Sequence, residues 1–377
     1  MSAHQQPRVL GHSHQNRHRS HGFLCALGIA PIELRISFWP RQPQLPASLS
    51  PAPDRMTNAI PTLHLNDVIS KHTRDMTGRV AAITGTTSGT GYICARELAK
   101  RGAKVLLLNR ESERSEAAIE RLRSEVPGAE FQGITCDLQH FKSVRLATKA
   151  VRAEHDRLDV LCNNAGVMAL NDEATRDGYD VQMQTNVLSH FLLTREFFAL
   201  LMKSDDARIV NHSSMARKGG PLDARYFEKN GGDLGGDEDP EGGFGGPRWQ
   251  RYHQTKLANY VFTYALKDRL DDAGITSLKA MVAHPGLART QLQFTTEKAG
   301  GMDANSEFMN NAQSEEDGAT GIIRACMDPQ ALSGDFFGPD QWAGFPHLLD
   351  SEPDLLTPGN LLIQWHGCET AVGRFTI

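Results

Sequence analysis

The stretch Arg79-Val80-Ala81-Ala82-Ile83-Thr84-Gly85-Thr86-Thr87-Ser88-Gly89-Thr90-Gly91 decides how the rest of this chain is read. Arg79–Thr84 is a short apolar run of strand type, and from Gly91 to Arg101 apolar residues recur every three to four positions, as on a helix. A glycine-rich turn between strand and helix exposes free backbone N–H groups at the positive end of the helix dipole. Its glycines let a phosphate approach without meeting a Cβ. Gly85, Thr87, Ser88, Gly89, Thr90 and Gly91 are therefore candidate pyrophosphate contacts. The spacing is Gly-x-x-x-Gly-x-Gly and not the Gly-x-Gly-x-x-Gly of the general dinucleotide fingerprint, so the turn needs support from its surroundings.

Downstream the same alternation continues. Strands are expected at Lys104–Asn109, Phe131–Cys136, Val160–Asn163, Arg208–Asn211, Leu278–Ala283 and Asp335–Phe337, with helices at Ser112–Glu125, Ser143–His155, Tyr179–Lys203 and Arg251–Asp272. Strands alternating with amphipathic helices specify an α/β fold: a single doubly wound, parallel, Rossmann-like sheet of about seven strands with helices on both faces. The chain's 377 residues would allow two or three domains, yet one domain over residues 78–340 accounts for nearly all the pattern. Residues 341–377 read as a C-terminal extension. Gly219–Gln250 holds ten Gly, seven acids and three bases, and is expected to be a long surface loop whose acids Asp237, Glu238, Asp239 and Glu241 form a solvated face.

Residues 1–56 have six Arg, no Lys, six Ser, five His and only two acids, and five prolines follow Trp39 within it. This leader is expected to lie outside the fold and to be disordered. Its composition matches an organellar transit peptide, Arg17–His21 before a short apolar stretch matches a signal peptide, and a translation start at Met56 would omit it altogether. The location, cytoplasmic or organellar, stays open. With 40 Lys+Arg against 45 Asp+Glu the formal charge is −5, which offers no broad basic surface for nucleic acid. The longest apolar candidate, Gly22 to Ile32, covers 11 residues, well short of the roughly 18 a membrane-crossing helix needs. A soluble protein is expected. The six cysteines lie far apart in sequence with no C-x-x-C pair, so they read as reduced, packed thiols and no metal site is expected.

At the end of the second strand stand Asn109 and Arg110, where a ribose-binding acid would select the cofactor lacking a 2′-phosphate. A neutral Asn removes carboxylate–phosphate repulsion, and Arg110 offers a forked, charged contact to a 2′-phosphate. NADP(H) is therefore preferred over NAD(H), with Glu111 as the residue that would reverse the choice if the strand ended one position later. Tyr252-His253-Gln254-Thr255-Lys256 opens a helix, so Tyr252 and Lys256 project from one face. A phenol near pKa 10 becomes a usable acid/base when an ammonium, and an oxidised nicotinamide, stabilise its phenolate.

The order of these motifs is specific: the glycine turn, then Cys162-Asn163-Asn164-Ala165-Gly166, Asn186, Ser213-Ser214, Tyr252/Lys256 and His284-Pro285-Gly286. From about Gly78 to Pro339 the chain resembles the classical short-chain dehydrogenase/reductases. Tyr252–Asn259 together with Arg208–Ser214 is most similar to their retinol-dehydrogenase and WW-domain-oxidoreductase branch. The resemblance implies that Tyr252 is the general acid/base and that Lys256 lowers its pKa and holds the nicotinamide ribose. It implies that Ser214 hydrogen-bonds the substrate oxygen and that Asn186 positions a water in a proton relay. It further assigns Asp137 and Leu138 to the adenine, Asn163, Ala165 and Gly166 to the floor of the cofactor cleft, and Pro285 and Gly286 to the nicotinamide side. Two alternatives stay open: Ser213 as the reactive serine, and Asn186 as a residue that merely caps or bends its helix. The gap of 38 residues between Ser214 and Tyr252 is longer than in most members.

The expected activity is NADP(H)-dependent interconversion of an alcohol and a carbonyl by hydride transfer. The substrate is expected to be an apolar, retinoid- or lipid-like small molecule, in keeping with Phe294, Phe308 and Met309 in the segment Gln291–Ser314 where the family places its substrate lid. Competing readings are a silent dinucleotide-binding sensor or scaffold and a pigment C=C reductase. Whether the chain is a monomer or a homodimer is undecided.

Overall fold

A computed structural model describes residues 60–236 and 244–377 of the chain. The expected leader over 1–56, with its histidines and Cys25, lies outside the described residues, as do the loop acids Asp237, Glu238, Asp239 and Glu241. In chain order the elements are α1 (Leu65–Lys71), β1 (Val80–Thr84), α2 (Gly89–Lys100), β2 (Lys104–Asn109), α3 (Glu113–Glu125), β3 (Phe131–Thr135), α4 (Phe141–Glu154), β4 (Val160–Asn163), α5 (Val181–Met183), α6 (Ser189–Leu201), β5 (Ala207–His212), α7 (Gly246–Asp272), β6 (Leu278–Ala283), α8 (Gln291–Lys298), α9 (Glu315–Gly318), α10 (Thr320–Met327), β7 (Phe336–Gly338), β8 (His347–Leu349) and α11 (Pro358–Val372).

The strands form one sheet in the order β3-β2-β1-β4-β5-β6-β7-β8. Strands β1 to β7 run parallel, with Ala82 opposite Leu106 on one side and Leu161 on the other. Alternate residues serve opposite faces: Leu106, Leu161, Ile209 and Ala280 pack under α4, α6, α7 and α11, while Val105, Cys162, Val210 and Met281 pack under α1, α2, α3 and α10. Both faces are buried, which is why these strands read as unbroken apolar runs. The chain winds outward from β1 to β3 and then restarts on the other side of β1 at β4. That reversal opens a crevice at the carboxyl ends of β1 and β4, where doubly wound sheets hold ligands.

Three features depart from the sequence reading. An eighth strand, β8, pairs antiparallel with β7; three residues are too few to show a period, and the strand covers an edge that would otherwise be open. The helix expected over Tyr179–Lys203 is interrupted by a π-helical turn at Gln184–Leu188. The glycine- and acid-rich stretch is also not all surface loop, since Leu222, Tyr226 and Phe227 are buried and its last five residues already belong to α7. Among the described residues, no helix is long and apolar enough to cross a membrane.

The C-terminal segment supplies part of the core. Trp365 of α11 is 5% exposed, stacks on Phe375 with ring centroids 5.5 Å apart, and meets Phe191 of α6 edge-on at 5.2 Å. The Arg269 guanidinium lies 3.6 Å from its ring centroid. Trp365→Ala removes a large buried side chain and its aromatic contacts, and is expected to destabilise the fold by about 3–5 kcal/mol. Urea denaturation checks this; a loss below about 1 kcal/mol would show that the C-terminal segment is dispensable to the core.

Candidate active site

The crevice begins where β1 turns into α2. Gly85 (φ +71°) and Gly89 (φ +64°) lie in the left-handed region, which glycine enters without strain. A Cβ on Gly85 would sit 2.8 Å from Ala165 Cβ, and one on Gly91 would sit 2.4 Å from the Gly85 carbonyl oxygen and 2.2 Å from Asn164 Nδ2. Here the two turns after β1 and β4 touch backbone to backbone. Ser88, the N-cap of α2, makes no side-chain capping bond, so the first amides of the helix keep their hydrogen-bonding capacity. The Ser88 hydroxyl instead accepts a bond from Arg114 of α3.

Neutral buried groups hold the turns together. Asn164 Nδ2 donates to the Thr84 and Gly85 carbonyls (2.8 and 3.2 Å), while its Oδ1 accepts from Thr90 Oγ1 (2.9 Å) and from the Nδ1–H of His212 (2.9 Å). Thr84 Oγ1 accepts from the backbone N–H groups of Asn164 and Ala165. His190 Nδ1 faces the Asn186 carbonyl at 3.0 Å, which can only accept, so Nδ1 carries the proton and Nε2 accepts from Thr84 Oγ1 at 2.9 Å. Burial drives His190 down to about 4 and His212 to about 3, with the Lys256 charge adding to both. Both rings are therefore neutral at physiological pH. His212 falls within the Arg208–Ser214 motif without a role read for it there, and no pattern in the sequence marks His190.

The remaining cofactor-side residues are placed as follows. Asn109 is buried, and its amide both accepts from the Thr86 N–H and donates to Thr86 Oγ1, each at 2.8 Å; it latches β2 to the glycine turn. Arg110 and Glu111 follow it, exposed. Asp137 accepts from the Gln139 N–H, and the Leu138 carbonyl accepts from Ser189 Oγ. Asn163 is a strut behind the crevice, donating to Asn211 Oδ1 (2.9 Å) and Thr194 Oγ1 (3.2 Å). Gly166 lies where a Cβ would be 3.3 Å from Asn186 Oδ1 and 3.6 Å from Lys256 Nζ. Gly286 (φ +61°) passes against the Trp342 carbonyl, and Gln313 donates to the Pro285 carbonyl at 2.7 Å. Just beyond, Thr290 caps α8 in a reciprocal capping box with Gln293 and lies against Gly89.

On the other side of the crevice α7 carries Tyr252 and Lys256, 4% and 5% exposed. Lys256 Nζ donates to the His212 carbonyl at 3.0 Å and lies 5.7 Å from the Tyr252 ring centroid. The two serines separate cleanly. Ser213 is buried and donates to the Lys256 carbonyl at 2.7 Å, fastening β5 to α7, whereas the Ser214 hydroxyl accepts from the Ala216 N–H at 3.2 Å and stands close enough to the Tyr252 phenol to favour its ionised form. Asn186, inside the π-helical turn, accepts from the Val167 N–H (2.8 Å) and donates to the Val167 carbonyl (2.8 Å) and Thr255 Oγ1 (3.0 Å). A π turn lets one residue bulge from a helix, a device common at functional sites. Asn186 thereby joins the turn after β4 to the helix that bears the Tyr/Lys pair.

Burial lowers Lys256 to about 8. Burial also raises the Tyr252 phenol well above its usual range, opposed by nearby Ser214. The expected acidification of Tyr252 by the lysine is not found among the influences on the phenol, which desolvation dominates.

Next to Tyr252 the wall is aromatic and comes from separate parts of the chain. Ring centroids are 5.9 Å apart for Tyr252–Trp249, 4.8 Å for Trp249–Phe244, 4.9 Å for Phe244–Phe308 and 5.2 Å for Phe308–Trp342. Met168, Leu292 and Met302 pack beside Trp249 and Tyr252. Of these, Phe308 alone had been singled out in the sequence; Phe294 lies beside Arg289, and Met309 is buried.

A family model described as short chain dehydrogenase matches residues 79–226. An uncharacterized oxidoreductase of Schizosaccharomyces pombe is 37% identical over 224 residues, 58% of this chain and 62% of that protein, so the match spans less than two thirds of that relative's length. Human retinol dehydrogenase 11 is 34% identical over 228 residues, covering 60% of this chain and 67% of that protein. Among solved structures, an uncharacterized protein from Mycobacterium paratuberculosis aligns with a TM-score of 0.64 at 28% identity, over 84% of this chain and 99% of that one.

Lys256 titrates near 8 in the folded chain and near 10.4 when unfolded. Between those values the unfolded chain binds more protons, so this group makes folding more favourable as pH rises through the window. The stability of wild type minus that of Lys256→Met, from urea denaturation, is expected to increase by up to about 3 kcal/mol between roughly pH 8 and pH 10. A difference flat with pH would show that Lys256 keeps its ordinary titration.

Proposed function

Because this chain belongs to the short-chain dehydrogenase family, we propose that it is an NADP(H)-dependent oxidoreductase interconverting an apolar alcohol with its aldehyde or ketone. The observation that carries this reading is buried Lys256 held 5.7 Å from the Tyr252 ring centroid by its bond to the His212 carbonyl, with Ser214 close by and Asn186 one hydrogen bond from the same helix.

The chain's residues fit a dinucleotide. The uncapped start of α2 and the cradle that a Cβ on Gly85 or Gly91 would fill suit a pyrophosphate lying across Gly85, Thr87, Ser88, Gly89, Thr90 and Gly91. Arg110 serves the 2′-phosphate, with Arg114 in support through Ser88. Asp137 and Leu138 flank the adenine, Asn163, Ala165 and Gly166 back the floor, and Pro285 and Gly286 border the nicotinamide. When bound, the cofactor supplies or accepts the hydride at the carbonyl carbon.

Tyr252 manages the proton. In reduction its phenol donates to the oxygen that becomes the alcohol, and in oxidation its phenolate takes that proton back. Ser214 donates a hydrogen bond to the same oxygen, where negative charge develops. Lys256 binds the cofactor ribose and favours the phenolate at the moment the proton has left. Asn186 fixes the turn and the helix relative to each other and positions a water that connects Lys256 to solvent. The aromatic wall from Tyr252 to Trp342 supports an apolar substrate, since every contact it offers along that path is a ring face or edge.

Turnover of a panel of apolar aldehydes with NADPH, followed at the nicotinamide absorbance, tests the reading. Tyr252→Phe is expected to lower kcat by about a hundred- to ten-thousand-fold while cofactor binding persists; full-speed turnover in that variant would overturn the acid/base assignment. Tight NADPH binding with no turnover across the panel would favour a sensor, and reduction of conjugated C=C bonds alone a double-bond reductase. Arg110→Glu is expected to shift the NADPH/NADH ratio of kcat/KM towards NADH by about tenfold or more, as loss of a charged hydrogen bond of ~1.5–3 kcal/mol implies. An unchanged ratio would remove Arg110 from cofactor selection.

A further inference from the structure

The fold brings together three cysteines that the sequence scatters. Cys94 on α2, Cys162 on β4 and Cys326 on α10 meet behind the glycine turn, each fully buried, with all three sulfurs within 4.8 Å of one another and those of Cys94 and Cys326 at 4.0 Å. A metal–thiolate bond of about 2.3 Å, arranged trigonally, separates its sulfurs by about 4.0 Å. The cluster thus stands close to the spacing of a three-thiolate site before any ion enters.

A second observation concerns charge. Arg208 on β5 is fully buried; it donates to the carbonyl of Ala325, the residue before Cys326, at 3.3 Å, and its Nε has no hydrogen-bond partner. Its other amino group reaches Asp206 at 3.2 Å, but Arg74 and Lys279 share that carboxylate, so three cations converge on a single acid. An anionic group among the thiols would answer this positive charge, and three thiolates around a monovalent cation are such a group.

We propose that Cys94, Cys162 and Cys326 form a trigonal thiolate site for a soft monovalent cation of the Cu(I) type. Among the described residues no further Cys, His, Asp or Glu joins the three. Tetrahedral zinc would want a fourth ligand, whereas soft thiolates alone suit Cu(I). As each S–Cu bond forms, the thiol proton leaves to solvent and the copper keeps its oxidation state, so no oxidant is needed. The bound ion would tie α2, β4 and α10 together directly behind the dinucleotide turn.

The test uses the reduced full-length chain under anaerobic conditions, with Cu(I) supplied as its acetonitrile complex and challenged by a chromophoric Cu(I) chelator. One equivalent is expected to be withheld from the chelator, with thiolate-to-copper absorption saturating at that point and a rise in Tm. Cys94→Ala and Cys326→Ala, checked for folding by circular dichroism, are each expected to lose that equivalent. Replacing Cys25, Cys136 and Cys368 together by Ala is expected to keep it. X-ray absorption of the copper-loaded wild type gives a measurement independent of any variant, with three sulfur neighbours expected. Failure of the wild type to withhold copper, retention of the equivalent by folded Cys94→Ala or Cys326→Ala, or nitrogen and oxygen neighbours in place of sulfur would each overturn the site.

Discussion

The site depends on the contact between the turns after β1 and β4. Gly85 lies against Ala165, and Gly91 against the Gly85 carbonyl and the Asn164 amide, with no room for a side chain. Turns this close would leave backbone polar groups buried without water, and such groups are costly unless paired. Asn164 and Thr84 make the pairings, and His190 and His212 complete the chain of bonds that runs to Asn186 and, through the His212 carbonyl, to Lys256. The glycine turn and the Tyr252/Lys256 face of α7 are therefore parts of one hydrogen-bonded assembly. A shift at either turn would be felt at both.

Neutrality of that assembly has an electrostatic consequence. With His190 and His212 held neutral by burial, the charge facing Tyr252 is that of Lys256, 5.7 Å from its ring centroid. The lysine's own burial costs stability, and it donates a hydrogen bond to a carbonyl, that of His212, and not to a carboxylate. A carboxylate partner would have cancelled the field around the ammonium, whereas a carbonyl orients the ammonium and leaves its charge available. Desolvation meanwhile keeps the phenol protonated.

Much of the architecture was legible in the sequence because strands buried on both faces write themselves as continuous apolar runs: Lys104–Asn109, Val160–Asn163 and Leu278–Ala283 have the same limits in sequence and structure. What escaped depends on tertiary crossings that have no period along the chain. The π turn at Asn186 inserts one residue into a pattern that otherwise reads as helix. His190 and His212 matter only because two turns meet over them. Arg114 becomes a neighbour of Ser88 only when α3 packs beside the glycine turn, and Asn109, read as a choice of cofactor, is first a latch on Thr86. The aromatic wall draws Trp249 from α7, Phe308 from the segment after α8 and Trp342 from the stretch before β8. No window on the sequence shows those rings together, and the same holds for the three thiols.

The long interval between Ser214 and Tyr252 raised the question of whether their mutual geometry survives an insertion. The placement of both residues is set outside the insertion. Ser214 follows directly from β5, Tyr252 rides on α7, and β5 is bolted to α7 by Ser213 on the Lys256 carbonyl and by Lys256 and Asn259 on the His212 carbonyl. The insertion is in turn tied down by the site's own elements. Arg251, adjacent to Tyr252, donates to the Gly235 and Leu170 carbonyls and pairs with buried Asp180, while Asp172 accepts from the N–H groups of Gly232 and Gly235. Chain length between two residues governs the entropy of bringing them together; once β5 and α7 are packed, it no longer governs where their side chains point.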